Sequence, residues 1–305
     1  MKIARFDLPG TSGQVKVGFV DLKDNQVVDA ATVLGRMGIR DPLDRAVDIV
    51  AYNVDKSGAL SQGLGDLSRY DAPRWPLQDI RWLAPIESGS LKDFIAFEQH
   101  ITAVRSSRGA EVPPAWYEMP VYYKGNHRAL IGHEAQLTWP RYSNQMDYEL
   151  ELACIIGKEG IDITEEEAPG YIGGYTIMND WSARDIQFQE SSVGLGPSKG
   201  KDFATSLGPW LVTPDEFNPE DARMTARING ELWSDGNIGQ IHWSFPKMIA
   251  HTSMDETVYP GDILGSGTVG GGCGLELDRW LQPGDVVELE VEGIGVLRNR
   301  VVRRE

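Results

Sequence analysis

The sequence predicts an α+β fold, mostly β, with a small N-terminal domain at residues 1–78 and a larger domain at residues 79–305. Three observations predict it. Short apolar or alternating runs bounded by Gly, Pro, Asn and Asp recur along the chain, as strands do. Helical spacing of apolar residues is confined to a few stretches. A Pro- and Trp-punctuated segment, Pro73-Arg74-Trp75-Pro76 through Trp82-Leu83-Ala84-Pro85, interrupts the pattern and marks the boundary.

In chain order, Lys2–Phe6, Val15–Asp21 and Gln26–Asp29 read as strands, broken by Pro9-Gly10, Ser12-Gly13 and Asp24-Asn25. Pro42–Asn53 has helical spacing through Leu43, Ala46, Val47 and Val50. The second domain opens on an expected helix: Ser90 stands as N-cap, Asp93 follows three residues later, and Phe94, Phe97, Ile101 and Val104 recur at helical spacing. On such a helix Asp93 and His100 would share one face, two turns apart. A loop-rich stretch, 112–127, is dense in Pro, Tyr and Trp. Strands then dominate, at Tyr148–Ile156, Tyr171–Met178, Thr225–Ile228 and Val286–Val291, with Pro-Gly-Asp turns at 260–262 and 283–285.

Composition bounds the function. A length of 305 residues allows a substantial core in one or two domains. A net charge of −16 and a pI near 4.8 argue against nucleic acid or an anionic membrane as partner. Cys154 and Cys273 show no zinc spacing and read as buried free thiols. No apolar run is long enough to span a bilayer and the N-terminus lacks a signal-peptide core, so the expectation is a cytoplasmic protein.

Two glutamates stand one residue apart in an apolar run, Tyr148-Glu149-Leu150-Glu151-Leu152-Ala153-Cys154-Ile155-Ile156. In a strand, residues i and i+2 face the same way, roughly 7 Å apart. Two anions in a low-dielectric place cost several kcal/mol, or one takes up a proton; a divalent cation removes both problems. A wet face is the alternative. The second copy of the spacing, Glu288-Leu289-Glu290, lacks other candidate ligands nearby and reads as wet, so spacing alone does not decide.

The company of Glu149 and Glu151 does. An apolar strand ends at Asn179-Asp180-Trp181-Ser182-Ala183-Arg184-Asp185, where Asp180 can meet the other two carboxylates. Asp93 and His100 precede them; Gly200-Lys201, Gly267-Thr268 and Leu275-Glu276-Leu277 follow. This ordered set resembles the fumarylacetoacetate hydrolase family over residues 90–280.

The resemblance implies an incomplete barrel or β-roll as the C-terminal domain, preceded by a small N-terminal domain, and a homodimer. It implies Mg²⁺, Mn²⁺ or Ca²⁺ held by Asp93, Glu149, Glu151 and Asp180; an all-oxygen set selects such a hard cation over zinc. It makes His100 the base that activates water, Glu276 its orienting carboxylate and Lys201 a catalytic cation. Tyr123, Arg184, Gln187 and Thr268 become substrate-binding residues for a small dicarbonyl acid. The implied reaction is hydrolysis of a carbon–carbon bond in a 1,3-dicarbonyl acid of the acylpyruvate or fumarylacetoacetate type, in aromatic catabolism. The alternatives are an isomerase or decarboxylase using the same cation site, and a non-enzymatic module stabilised by Ca²⁺. Two departures bear on substrate: Ile95 stands where the family has tyrosine, and the arginine after the helix is either Arg105 or Arg108. Asp185 is expected to make a structural bond, and no role falls to His127, His133, His242 or His251. Gly265–Gly270 matches GxGxxG, but the glycines after it are poor helix starters and no βαβ unit surrounds it, so it reads as no dinucleotide site.

Overall fold

A computed structural model describes residues 1–10, 13–107 and 109–303. Among the described residues the fold is mixed, with two large open sheets and a two-stranded one, Met146–Asp147 with Ser182–Ala183. The larger sheet runs in the order Arg74–Pro76, Gln26–Asp29, Lys16–Asp21, Lys2–Asp7, Thr205–Val212, Ile172–Asn179, Leu150–Ile156, Ile263–Gly265, Leu91–Phe94, Tyr122–Gly125. Lys2–Asp7 pairs directly with Thr205–Val212, so strands from before and after residue 78 share one sheet. The second sheet is Glu231–Asn237, Arg223–Ile228, Val286–Val291, Gly295–Arg303, Gln136–Trp139.

The strand Leu150–Ile156 is buried on both faces, and its alternation divides two cores. Leu150, Leu152, Cys154 and Ile156 pack toward the second sheet, with Met224, Ala226, Leu289 and Val301. Ala153 and Ile155 point the other way, into a cluster with Val47, Ile49 and Val50 of the helix Ala46–Asp55. Glu149 and Glu151 share the parity of Ala153 and Ile155 and therefore lie on the helix side, at the strand's start. In Glu288-Leu289-Glu290, Leu289 is buried while Glu288 is half-exposed and Glu290 exposed, so that pair is a wet face.

The structure corrects the sequence reading in four places. Leu91–Phe94 is a strand inside the sheet, hydrogen-bonded to Ile263–Gly265 on one side and Tyr122–Gly125 on the other. Asp93 therefore sits on a strand, Ser90 caps nothing helical, and the helix begins only at Glu98, running to Ser106 with His100 on it. Four residues, Leu91-Lys92-Asp93-Phe94, fit either period, and pairing on both edges decided for the strand. The helix expected from Pro42 starts at Ala46, where the Asp48 carboxylate accepts the Arg45 backbone N–H. Helices Ala30–Arg36 and Ala59–Leu64 add to the first 78 residues without having been foreseen. One helical turn, Gly274–Leu277, does form after the glycine run. It belongs to no βαβ unit, since the glycine run follows Ile263–Gly265 and the next strand, Val286–Val291, lies in the other sheet. Among the described residues no helix is long and apolar enough to cross a membrane.

Candidate active site

Four carboxylates converge where strands of the large sheet end. Glu151 pairs with Met178 and Leu150 with Asn179, so Glu149 and Asp180 stand at the next step of the same ladder. Asp93 enters from the neighbouring edge, in register with Gly265, which itself pairs with Ala153. Gly265 is needed there: a Cβ would lie 2.3 Å from Asp93 Oδ1. One oxygen each from Asp93, Glu149, Glu151 and Asp180 lies within 4.8 Å of the others. All four residues are between 0 and 5% exposed.

Two cations meet this cluster. Lys201 Nζ donates to Glu149 Oε2 at 2.5 Å and also to Asp180 Oδ2. Arg184 Nη2 lies 2.8 Å from Glu149 Oε1. Burial would raise Glu149, but Arg184 and Lys201 outweigh it and hold this carboxyl well below the usual range. Burial would lower Lys201, and Asp180 and Glu149 outweigh that, keeping it charged. The other three carboxyls are pushed up: Asp93 by burial and Asp180, Glu151 by burial and Asp93, Asp180 by burial against the pull of Lys201. The crowding of negative charge is therefore felt at Asp93, Glu151 and Asp180, where the charged form is disfavoured.

These residues fit a divalent cation. Asp93 Oδ1 and Glu151 Oε2 are buried without a hydrogen-bond partner, a costly state for a carboxylate oxygen. A hard cation, Mg²⁺, Mn²⁺ or Ca²⁺, takes such oxygens and balances the charge.

The second half of the site is a dyad. His100 Nδ1 lies 2.6 Å from Glu276 Oε1, and Glu276 Oε2 accepts the Gly271 backbone N–H at 2.9 Å. Burial works to raise Glu276, but the His100 contact outweighs it and lowers the carboxyl. Cys273 Sγ, 3.4 Å from Glu276 Oε1, is buried, as is Cys154, and both are free thiols.

A cavity of about 260 Å³ joins the two halves. It is lined by His100, Asp93, Glu149, Glu151, Asp180 and Lys201, and also by Tyr123, Arg184, Gln187 and Thr268. Tyr123 donates its hydroxyl to Asp180 Oδ1 at 2.8 Å, and Thr268 donates to Glu151 Oε1 at 3.4 Å. Gln187 Oε1 accepts from Arg184 Nη1 at 3.0 Å. Every residue singled out from the sequence for the site thus borders this cavity, except Glu276, which stands behind His100. Asp185 is structural, accepting from Ser143 Oγ and from the Asn144 backbone. His133 accepts the Arg298 backbone N–H, far from the dyad in sequence and partners. Arg105 donates Nε–H to the Glu111 carbonyl; Arg108 lies outside the described residues.

One residue of the site escaped the sequence reading. Asp147, fully buried, accepts from Arg184 Nε at 2.8 Å and from the backbone N–H groups of Gly274 at 2.7 Å and Leu275 at 3.0 Å. It joins the carboxylate cluster to the turn that carries Glu276. Its signal was available: Asp147, Glu149 and Glu151 continue one alternation. The Asn-Asp-Trp-Ser run is now explained locally. Asn179 Oδ1 accepts the Glu149 N–H at 3.0 Å, Trp181 Nε1 donates to Ser206 Oγ at 2.7 Å, and Ser182 Oγ donates to the Asp180 carbonyl at 3.0 Å.

Known proteins share this arrangement of chain. The sequence model of the family described as Fumarylacetoacetate (FAA) hydrolase C-terminal matches residues 91–302. The oxaloacetate tautomerase YisK of Bacillus subtilis is 32% identical over 234 residues, which cover 74% of this chain and 75% of that protein. An uncharacterized protein of Pyrococcus abyssi is 35% identical over 213 residues, 69% of this chain and 90% of that one. Among solved structures, a fumarylacetoacetate hydrolase from Exiguobacterium antarcticum matches with a TM-score of 0.75 at 27% identity. A 5-carboxymethyl-2-hydroxymuconate delta-isomerase from Mycobacterium smegmatis matches with a TM-score of 0.72 at 27% identity. Both matches cover 100% of each chain. A maleylpyruvate hydrolase of Sphingobium sp. SYK-6, solved with manganese(II) and pyruvate, has the same fold at 22% identity, with a TM-score of 0.74 and 100% of each chain covered.

Proposed function

The chain belongs to the fumarylacetoacetate hydrolase family, and on that premise we propose that it is a divalent-cation-dependent hydrolase of a 1,3-dicarbonyl acid of the acylpyruvate type, cleaving the carbon–carbon bond between the two carbonyls. The observation that carries this is the His100–Glu276 pair at 2.6 Å, with His100 opening on the same cavity as the four-carboxylate cluster.

Glu276 accepts the hydrogen bond of the His100 Nδ1–H and so leaves Nε2 as the acceptor. His100 removes a proton from water; the water oxygen adds to the distal carbonyl carbon. The carbon–carbon bond then breaks, its electron pair passes to the departing enolate, the proton held at His100 Nε2 is returned to the enolate carbon, and the water oxygen ends in a new carboxylate whose own proton is released to solvent. Lys201, held charged by Asp180 and Glu149, offers positive charge to the oxyanion that develops. A Mg²⁺ or Mn²⁺ held by Asp93, Glu149, Glu151 and Asp180 supplies Lewis acidity toward the oxygens of the dicarbonyl acid. Tyr123 and Thr268 fix two of those carboxylates through their hydroxyls, and Arg184 and Gln187 border the leaving group. A homodimer in the cytoplasm is part of the same proposal, with light scattering as the check on the dimer.

One observation favours a second reading. The Bacillus subtilis relative is named an oxaloacetate tautomerase. A base at His100 that moves a proton between carbon and oxygen would serve tautomerisation without any hydrolysis. The test is turnover of acylpyruvates and oxaloacetate in ¹⁸O-labelled water with Mg²⁺ or Mn²⁺, using His100→Ala as control. Label in a new carboxylate, lost in the variant, supports hydrolysis. Keto–enol exchange with no cleavage product sinks it in favour of the tautomerase.

A further inference from the structure

Ile95, Ala96 and Phe97 join the strand that carries Asp93 to the helix that carries His100. His100 is the third residue of that helix, Glu98–Ser106, so it lies in the first turn. Phe97 stands at the N-cap with extended backbone and no side-chain cap bond. A side-chain oxygen at that position usually binds the free N–H groups of the first turn. Here the direction of the first turn, and with it the imidazole, depends on what holds the link.

Backbone bonds supply part of the hold. Ala96 donates its N–H to the Ser266 carbonyl at 3.1 Å, and its own carbonyl accepts the N–H groups of His242 at 2.9 Å and Trp243 at 3.4 Å. A side chain completes it. Trp116 Nε1 donates to the Ile95 carbonyl at 2.7 Å. The peptide between Ile95 and Ala96 is thus held at both ends, its C=O by the indole and its N–H by Ser266. Trp116 is 2% exposed and lies on the short turn Pro114–Tyr117, packed against the rings of His242 at 4.8 Å and Tyr117 at 5.0 Å. The same turn reaches the helix itself, because Tyr117 donates its hydroxyl to Glu98 Oε1 at 2.7 Å.

Resting on the role of His100 proposed above, we propose that Trp116 is a positioning residue for this base. Trp116 does not border the cavity; it acts through the Ile95 carbonyl to hold the first turn of the helix, so that His100 Nδ1 stays 2.6 Å from Glu276 and the ring stays open to the cavity. Without the indole N–H the Ile95 carbonyl loses its partner and the link is free to turn. A base displaced by about 1 Å costs on the order of a hundredfold in rate. Asp93 is insulated from that shift, since its strand is paired on both edges.

Trp116→Phe tests this by keeping an aromatic ring and deleting the N–H. Trp210→Phe is the matched control: Trp210 Nε1 donates to the Ile294 carbonyl at 2.9 Å, a buried bond of the same kind, and Trp210 does not border this cavity. The readouts are kcat and KM with an acylpyruvate, Mn²⁺ affinity by calorimetry, and the proton resonance of the His100 Nδ1–H shared with Glu276, assigned by its loss in His100→Ala. In Trp116→Phe, kcat should fall on the order of ten- to a hundredfold with KM within about twofold. Mn²⁺ affinity should stay within about twofold, and the proton resonance should move upfield or be lost to exchange. Added to His100→Ala, the same substitution should cost no further kcat. Trp210→Phe should keep the parent kcat and resonance even where its melting temperature falls as far. Tyr117→Phe, at a ring 46% exposed, removes the other bond of the turn without opening the core and should move kcat and resonance the same way by less; it carries the test where Trp116→Phe does not fold. A moved resonance in a protein that turns over no acylpyruvate supports the positioning role and overturns the hydrolase. An unmoved resonance in Trp116→Phe, or in Tyr117→Phe where only that variant folds, overturns the positioning role. So do equal losses in Trp210→Phe, a large loss of Mn²⁺ affinity, or a fall in kcat that persists in the His100→Ala background.

Discussion

Arg184 reaches Asp147 with two nitrogens, Nε at 2.8 Å and Nη2 at 2.7 Å, where both side chains are at most 2% exposed. The same guanidinium leans on Glu149. Asp147 thereby takes part of the positive charge that would otherwise bind Glu149 alone, and its other bonds hold the start of the Glu276 turn.

Asp147→Asn should leave Arg184 buried with half its counter-charge. Breaking a buried pair costs about 3 to 5 kcal/mol, so a marked fall in melting temperature is expected. Cation affinity should fall too, as Arg184 closes on Glu149. Calorimetric titration with Mn²⁺ checks this; unchanged stability and affinity would show that the pair is dispensable.

Asp93→Asn and Glu151→Gln remove like charges from the cluster. Without cation each should melt at or above the parent's temperature, because an unpartnered buried anion is gone. With Mg²⁺ the order should invert. The parent gains about 2.7 kcal/mol at a hundredfold excess over Kd, and the variants gain little. Melting scans with EDTA or Mg²⁺ read both signs, and equal Mg²⁺ shifts in parent and variants contradict the cation assignment.

The raised carboxyls set the pH dependence. Asp93, Glu151 and Asp180 hold protons more tightly folded than unfolded. Their contribution is complete below the ordinary carboxyl range, about pH 4, and is lost as pH rises through the raised values. Glu149 runs the other way, with a contribution present above the ordinary range and lost only as pH falls through its lowered value. Cation-free protein should therefore weaken as pH rises above the ordinary carboxyl range, and Mg²⁺ should stabilise more as pH rises. A Mg²⁺ shift that is flat with pH refutes this.

His100→Ala and Glu276→Gln should separate chemistry from cation binding. Loss of a positioned base typically costs 10²–10⁴ in rate, so kcat is expected to drop by about that factor for His100→Ala. Glu276→Gln should cost less, through the wrong ring tautomer. Neither residue belongs to the four-carboxylate set, so Mn²⁺ affinity should stay within about twofold. A large loss of affinity in His100→Ala would mean that the two halves of the site are one.

Gly265→Ala should act through Asp93. The new methyl would stand 2.3 Å from both Asp93 Oδ1 and Met178 Cε, so the carboxylate has to leave the cluster. Weaker Mn²⁺ binding by about tenfold or more is expected. Parent-like affinity would mean that Asp93 is not a ligand.

Much of this was legible in the residues. Glu149 and Glu151 point together because strand side chains alternate, a property local to five residues. The order of Asp93, His100, Asp180, Lys201 and Glu276 carried the family, since each residue type matched its motif. The control pair Glu288 and Glu290 was read correctly from the absence of company. Asp93 was placed on the wrong element because Leu91–Phe94 is a strand only by virtue of partners 30 and 170 residues away, at Tyr122–Gly125 and Ile263–Gly265. Propensity in four residues cannot encode such pairing.

Local chemistry in the sequence thus determined the carboxylate set, the hard-cation preference and the family. Tertiary structure decided what no window of sequence contains. It set Glu276 against His100 across 176 residues, divided Arg184 between Asp147 and Glu149, and raised three carboxyls while lowering the fourth. The physical reason is that charge states depend on burial and on neighbours in space. Glu149 and Glu151 are the same residue type two positions apart, yet Arg184 and Lys201 reach only the first.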